Sequence, residues 1–194
     1  MWSSSYLKIP RKRIGVLIGP EGKVKKEIER RLKVNLSIDS VEGDISITPS
    51  PENDDPSTIF RARDVALAIG RGFSPERAFR LLDDEDSVLQ VIDLREIVGR
   101  SPSNIKRIKG RVIGREGKIR RMIEELTGTS ISVYGHTISI IGRVEEVDIA
   151  REAIMMLIKG SQHGTVTRFL HRMRRKLKRK MLEIWETSPK DLET

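Results

Sequence analysis

The residues of this chain best suited to chemistry are two G-x-x-G tetrapeptides, Gly19-Pro20-Glu21-Gly22 and Gly114-Arg115-Glu116-Gly117. Around the second copy, Ile105, Ile108, Val112 and Ile113 recur upstream and Ile119, Met122, Ile123 and Leu126 downstream, a spacing that predicts helix, turn, helix. Glycine at both ends of the turn carries no Cβ to hold a sugar-phosphate chain away. The helix that starts there offers unpaired N–H groups and a partial positive charge. The chemistry permitted is non-covalent: capture of a phosphate by backbone. A lone tetrapeptide of this kind is a weak signal, but this one recurs in register. Gly15, Ile18, Gly19, Glu21, Gly22, Lys23, Ile28 and Glu29 fall on Gly110, Ile113, Gly114, Glu116, Gly117, Lys118, Ile123 and Glu124 at one offset (114 − 19 = 95). The match continues through Leu36-Ser37-Ile38 against Ile131-Ser132-Val133, Ile45-Ser46-Ile47 against Ile138-Ser139-Ile140, and Ala62-Arg63-Asp64 against Ala150-Arg151-Glu152. The chain therefore holds two copies of one unit, each long enough for a small domain.

The elements that must position the tetrapeptides follow from local pattern. In the first copy a strand over Tyr6–Pro10, a helix over Arg11–Ile18, a helix with Val24, Ile28 and Leu32 inward, strands over Asn35–Asp39 and Asp44–Thr48, and a helix over Ser57–Ile69 are predicted. Ser74 caps a helix that starts at Pro75 and runs to Leu82, and the acidic run Asp83–Asp86 ends it as a solubilising linker. The second copy opens with a strand over Val88–Leu94. It continues with a helix after Ser101-Pro102-Ser103 that reaches Ile113, strands over Ser130–Tyr134 and Thr137–Ile141 joined by Gly135-His136, and a helix over Val144–Ile158. A last amphipathic helix over Thr167–Trp185 lines Phe169, Leu170, Met173, Leu177, Met181 and Trp185 on one stripe, with eight Lys or Arg elsewhere. The fold class is α+β. Residues 1–82, an acidic linker at 83–87, residues 88–160 and a basic tail at 161–194 divide the chain.

Net charge is +9, and it is zoned. Residues 8–33 carry ten Lys or Arg against three Glu, and residues 103–128 eight against three, whereas residues 42–86 carry eleven acids against five Arg. Clustered cations at the tetrapeptides favour an anionic partner. With no cysteine and three scattered histidines, neither a disulfide framework nor a metal cage is expected, and no cofactor is called for. No apolar run is long enough to span a membrane and the N-terminus lacks a secretory pattern, so a cytoplasmic protein without membrane contact is expected. No nucleotide-binding P-loop, dinucleotide fingerprint or nucleophile in motif context is present, which points away from an enzyme.

Each unit reads strand, helix, G-x-x-G, helix, strand, strand, helix. On these residues the chain resembles the type I KH domain, β-α-α-β-β-α, a three-stranded antiparallel sheet covered by helices. The family's I-G-x-x-G-x-x-I is met by Ile113-Gly114-Arg115-Glu116-Gly117-Lys118-Ile119-Arg120, with isoleucine two rather than three places after the second glycine; Val24 stands there in the first copy. With Ala68-Ile69-Gly70-Arg71-Gly72-Phe73-Ser74-Pro75-Glu76-Arg77-Ala78 between the units and a basic C-terminal helix, the whole chain is similar to the archaeal Dim-two, or partner-of-Nob, family of small-ribosomal-subunit assembly. The resemblance implies single-stranded RNA at the 3′ end of small-subunit ribosomal RNA as partner. It also implies the nuclease that matures that end and the alpha subunit of the initiation factor that carries initiator tRNA.

The expected clamp places phosphates at Gly114, Arg115, Glu116, Gly117 and Lys118, with Ile113 beside them, Lys109, Arg111, Arg120 and Arg121 flanking, and bases along Ile131, Ser132 and Val133. Gly19, Pro20, Glu21, Gly22 and Lys23 form a weaker second site, since that loop has a rigid proline and no internal cation. Gly114→Asp is expected to cut single-stranded RNA affinity by about tenfold or more while leaving melting nearly unchanged, and Gly19→Asp to do less. The alternative, a KH-fold protein adaptor with weak sequence-blind RNA affinity, stays open at this level.

Overall fold

The computed structural model describes residues 4–186 and divides them between two three-stranded antiparallel sheets. The first unit runs β1 (Ser5–Lys8), α1 (Arg11–Ile18), α2 (Lys23–Leu32), β2 (Val34–Ile38), β3 (Asp44–Pro49) and α3 (Ser57–Gly70), with sheet order β1-β3-β2. Short helices α4 (Pro75–Ala78) and α5 (Arg80–Asp83) lead to the second unit. That unit runs β4 (Ser87–Asp93), α6 (Leu94–Val98), α7 (Pro102–Ile113), α8 (Lys118–Thr127), β5 (Ser130–Tyr134), β6 (Thr137–Arg143) and α9 (Val144–Ile158), with sheet order β4-β6-β5, and α10 (His163–Glu186) follows. The expected α+β class and the β-α-α-β-β-α order are both present, and each G-x-x-G joins the two helices of its unit.

The two sheets differ in what covers them. β2 buries Val34 and Leu36 and exposes Asn35 and Ser37, the period-two pattern of a sheet packed on one face. In β6, by contrast, six consecutive residues from Thr137 to Gly142 are buried. Burial on both faces requires a second layer, and the first unit supplies it. Ile141 shares the first unit's apolar core with Phe73, Ala78 and Leu81, while Leu89 packs at its edge. Ile138 and Ile140 point the other way, into the second core with Ile108, Val112, Ile123, Ile131 and Ile154.

Polar contacts fasten the same seam. Ser132 Oγ donates to the Arg71 carbonyl at 2.9 Å, Arg80 donates to the Gly128 carbonyl at 2.6 Å and to Glu146 at 3.3 Å, and Arg77 pairs with Glu124. The linking segment lies so close that glycine is obligatory in it: a Cβ on Gly72, whose φ is +99°, would stand 2.7 Å from Ser132 Oγ and from Tyr134 Cβ.

Several expectations change for this reason. The helix expected over Pro75–Leu82 breaks at Phe79 into α4 and α5, because Leu81 turns into the core while Arg80 reaches across to the second unit. Ser74 occupies the cap position but accepts no helix N–H; its side chain hydrogen-bonds the Glu76 carboxylate instead. The acidic run lies between the units with Asp83, Glu85 and Asp86 exposed, and two of its carboxylates find arginines: Asp83 pairs with Arg31 at 2.9 Å and Asp84 with Arg143 at 3.1 Å. The helix α6, one turn long, is too short to show a period in the sequence; the Asp93 side chain caps it by accepting from the Arg95 N–H. The last helix begins at His163, with Val166, Phe169 and Leu170 buried in the second core. The side chains of Met181 and Trp185, expected on the same stripe, lie outside the described set. Among the described residues no helix is long and apolar enough to cross a membrane.

Two alanine substitutions separate helical propensity from the seam. Gly15→Ala, in α1 with open space around it, is expected to stabilise by about 0.5–1 kcal/mol. Gly72→Ala is expected to destabilise by roughly 2–4 kcal/mol through overlap and positive φ. Urea unfolding midpoints check both signs.

Candidate nucleic-acid interface

The two G-x-x-G loops have nearly the same backbone. Gly19 and Gly114 have φ of 71° and 72°, Glu21 and Glu116 sit in the left-handed region at 53° and 52°, and Gly22 and Gly117 follow at 75° and 77°. In each loop the second glycine donates its N–H to the first glycine's carbonyl at 3.2 Å. Pro20 thus leaves the loop's shape unchanged but removes the backbone N–H that Arg115 keeps, so the two loops differ in donors as well as in charge.

The glycines divide the work between packing and access. A Cβ on Gly114 would overlap the side chain of Ile119 and stand 3.0 Å from its backbone nitrogen; Gly19 meets Val24 in the same way. The residue two places after the second glycine is therefore the one that closes over the first, which accounts for the shifted isoleucine. The first glycine is demanded from inside the protein. This overturns the expectation that Gly114→Asp leaves melting unchanged. Gly117, in contrast, has only the end of Arg120, 4.0 Å away, near its missing Cβ. The loop's outer side is open, and no side chain caps the start of α8.

Arg115 and Lys118 are exposed there, and among the described residues neither makes an ion pair, whereas Lys23 in the first loop pairs with Glu21 at 3.5 Å. Arg121 donates to the Glu116 carbonyl at 2.9 Å and braces the loop from behind. The Glu116 side chain is exposed. Arg120 leans toward Glu124, 4.0 Å away.

Beside the second loop, between α7 and the tip of the β5–β6 hairpin, runs an open trough of about 780 Å³. Ile105, Gly110 and Ile113 give it apolar lining, and Arg95, Arg100, Lys106 and Lys109 give it charge. Lys109 Nζ donates to the Gly135 carbonyl at 2.9 Å, tying the hairpin tip to α7. His136 lies at the same tip, 3.7 Å from Asp93. Burial pushes its pKa below the ordinary 6.5, against the pull of Asp93 and with help from Arg95, Arg71 and Lys109, so it is neutral at pH 7. Arg95, Arg100 and Lys106 were not singled out from sequence, because α6 and the hairpin tip bring them together only in three dimensions. On the first unit two cations of the corresponding flank are paired: Arg11 (106 − 95 = 11) with Glu42 at 3.3 Å, and Lys8 with Asp44 at 3.4 Å.

Three of the expected site residues have other tasks. Arg111 donates to the carbonyls of Leu157 at 3.0 Å and Ser161 at 2.7 Å, capping α9 rather than flanking the loop. Arg13 does the same for Ile69 and Phe73, the equivalent carbonyls (157 − 69 = 161 − 73 = 88). The two arginines are 98 positions apart, not 95, so alignment of the repeats hid their kinship. Ile131 turns its side chain into the core, and Ser132 faces the seam, leaving Val133 partly open along β5.

The edge of β5 is also held by a residue whose role sequence reasoning missed. The Ile131 N–H donates to Glu124 Oε1 at 2.7 Å, and in the first unit the Leu36 N–H donates to Glu29 Oε1 at 2.8 Å. The signal was the recurrence of glutamate at the common offset. Among the described residues no group of three or more His, Asp or Glu is arranged to hold a metal.

Comparison with known proteins agrees with this architecture. A model described as eukaryotic-type KH domain (KH-domain type I) matches residues 88–175, and one described as KH domain matches residues 4–59. A KH domain-containing protein of Methanocaldococcus jannaschii, MJ0443, is 50% identical over 184 residues, 95% of this chain and 80% of that protein. A chain of the crystal structure of the a/eIF2alpha-aDim2p-rRNA complex from Pyrococcus horikoshii OT3 is 49% identical with a TM-score of 0.84, over 90% of this chain and 95% of that one. The chain belongs to the tandem KH-domain proteins of the Dim2p and PNO1 type. The RNA-binding protein pno1 of Dictyostelium discoideum is 28% identical over 81% of this chain, which spans 66% of that longer protein.

The asymmetry between the glycines can be measured. Gly114→Asp is expected to cost roughly 2–4 kcal/mol of stability through its clash with Ile119. Gly117→Asn, in open space at a φ that asparagine tolerates, should cost about 1 kcal/mol or less. Denaturant unfolding of the two variants gives the comparison.

Proposed function

We propose that the chain is a single-stranded RNA-binding factor of small-ribosomal-subunit assembly and that its second KH unit receives the 3′ end of the small-subunit rRNA. The observation that carries this is the trough beside Gly114–Gly117, where Arg100, Lys106, Arg115 and Lys118 have no ion-pair partner among the described residues. A strand passing over Gly117 meets the uncapped start of α8 and the two loop cations, which hold its phosphates. About four nucleotides then lie toward the trough and the open part of β5. The first loop, with the same shape and compensated charge, is a weaker second site. The rRNA in the neighbouring complex and the RNA-binding relative support this reading. The initiation-factor alpha subunit in the same complex supports such a subunit as a protein partner here, and the family resemblance adds the 3′-end nuclease.

The test is fluorescence anisotropy with oligonucleotides from the rRNA 3′ end and with scrambled ones, at several salt concentrations. Log affinity against log salt is expected to slope between roughly −3 and −5, at about −0.7 per phosphate contact on a single strand. Replacing the two exposed loop residues together, Arg115→Asp with Glu116→Asp, should lower affinity by about tenfold or more without moving the melting temperature. Pro20→Asp with Glu21→Asp should do less. Micromolar, sequence-blind binding indifferent to the second loop would favour the adaptor reading instead.

A further inference from the structure

Between the units, Gly70-Arg71-Gly72-Phe73 passes against the second sheet with its backbone fixed at every residue. Gly70 abuts Ile9, the Arg71 carbonyl accepts from Ser132, Gly72 abuts Tyr134, and Phe73 is buried with its carbonyl held by Arg13. Arg13 also stands over the Tyr134 ring, 5.7 Å from its centre. Arg71 is thereby placed beside β5, and the residues following Tyr134 are the hairpin tip, Gly135-His136, that lines the trough.

The arginines around Arg71 all have partners: Arg13 caps α3, Arg77 holds Glu124, and Arg80 holds Gly128 and Glu146. The Arg71 side chain has neither a hydrogen bond nor an ion pair among the described residues, and its Nε is buried without an acceptor. Native structures rarely leave such a donor unmatched, and the guanidinium fork fits a phosphate. The surroundings favour an anion, since Arg95 and Lys109 stand on the trough side and Asp93 is already held by Arg95 at 2.7 Å.

We propose that Arg71, supplied by the first unit, binds an RNA phosphate just beyond the second unit's trough, making the RNA site composite and longer than one KH clamp. This rests on the reading that the trough holds RNA. The geometry gives the first unit a direct part in that site, apart from its own G-x-x-G loop, where Lys23 pairs with Glu21.

The experiment compares wild type, Arg71→Gln, and the Arg115→Asp/Glu116→Asp variant on four- and eight-nucleotide RNAs from the rRNA 3′ end. Arg71→Gln is expected to weaken the eight-nucleotide RNA about three- to tenfold, to make its salt slope shallower by about 0.7, and to leave the four-nucleotide RNA and the melting temperature unchanged. Equal affinity and slope for wild type and Arg71→Gln on the longer RNA would overturn the proposal. So would an equal loss on both lengths, since that marks a change in the trough itself. If the loop variant abolishes binding while Arg71→Gln matches wild type, the composite site alone fails. If the loop variant binds like wild type, the clamp fails and Arg71 with it.

Discussion

The structure depends on β6 being buried on both faces. A lone KH-type sheet has one face on its helices and one toward water, as β2 illustrates with Asn35 and Ser37 outward. Once Leu89 and Ile141 stand on the outer face of the second sheet, that face has to be covered, and α3 to α5 of the first unit cover it. The hydrophobic contact sets the position of everything polar around it. It brings Arg77 to Glu124, whose carboxylate in turn holds the edge of β5, so the first unit is coupled to the strand along which the bases are proposed to lie.

The two loops share one backbone path and differ in what surrounds it. The loops agree in dihedral angles to within a few degrees, and the same closing contact, Val24 on Gly19 or Ile119 on Gly114, makes each of them. Arg115 and Lys118 in one copy make no ion pair among the described residues, whereas in the other Lys23 pairs with Glu21, Arg11 with Glu42 and Lys8 with Asp44. Duplication supplied two frames, and the proposed preference for the second rests on its unpaired loop cations and on the backbone N–H of Arg115, which Pro20 lacks.

Much of this was legible in the chain. The offset of 95 identified the repeat, and the period of Ile105, Ile108 and Val112 and the alternation in β5 and β6 located helices and strands to within a few residues. Periodicity reports which face of an element is apolar, and the repeat reports which loops are equivalent. Neither reports partners distant in sequence. Arg111 looked like a flanking cation because its partners, the Leu157 and Ser161 carbonyls, lie 46 and 50 positions away. Likewise the acidic run at 83–86 is legible as charge, but its pairing with Arg31 and Arg143 is set by residues 52 and 59 positions away (83 − 31 = 52, 143 − 84 = 59).

By itself, the sequence determined the duplicated β-α-α-β-β-α units, the two glycine-bordered turns and the basic zones, because hydrophobic period, glycine conformation and charge count are local properties. Only the tertiary structure decided which glycine is held by packing and which is open, which arginines are occupied by helix ends, and that the second sheet has no free outer face. Those outcomes turn on contacts among residues far apart in the chain, and such contacts exist only after the cores of the two units have brought them within hydrogen-bonding distance.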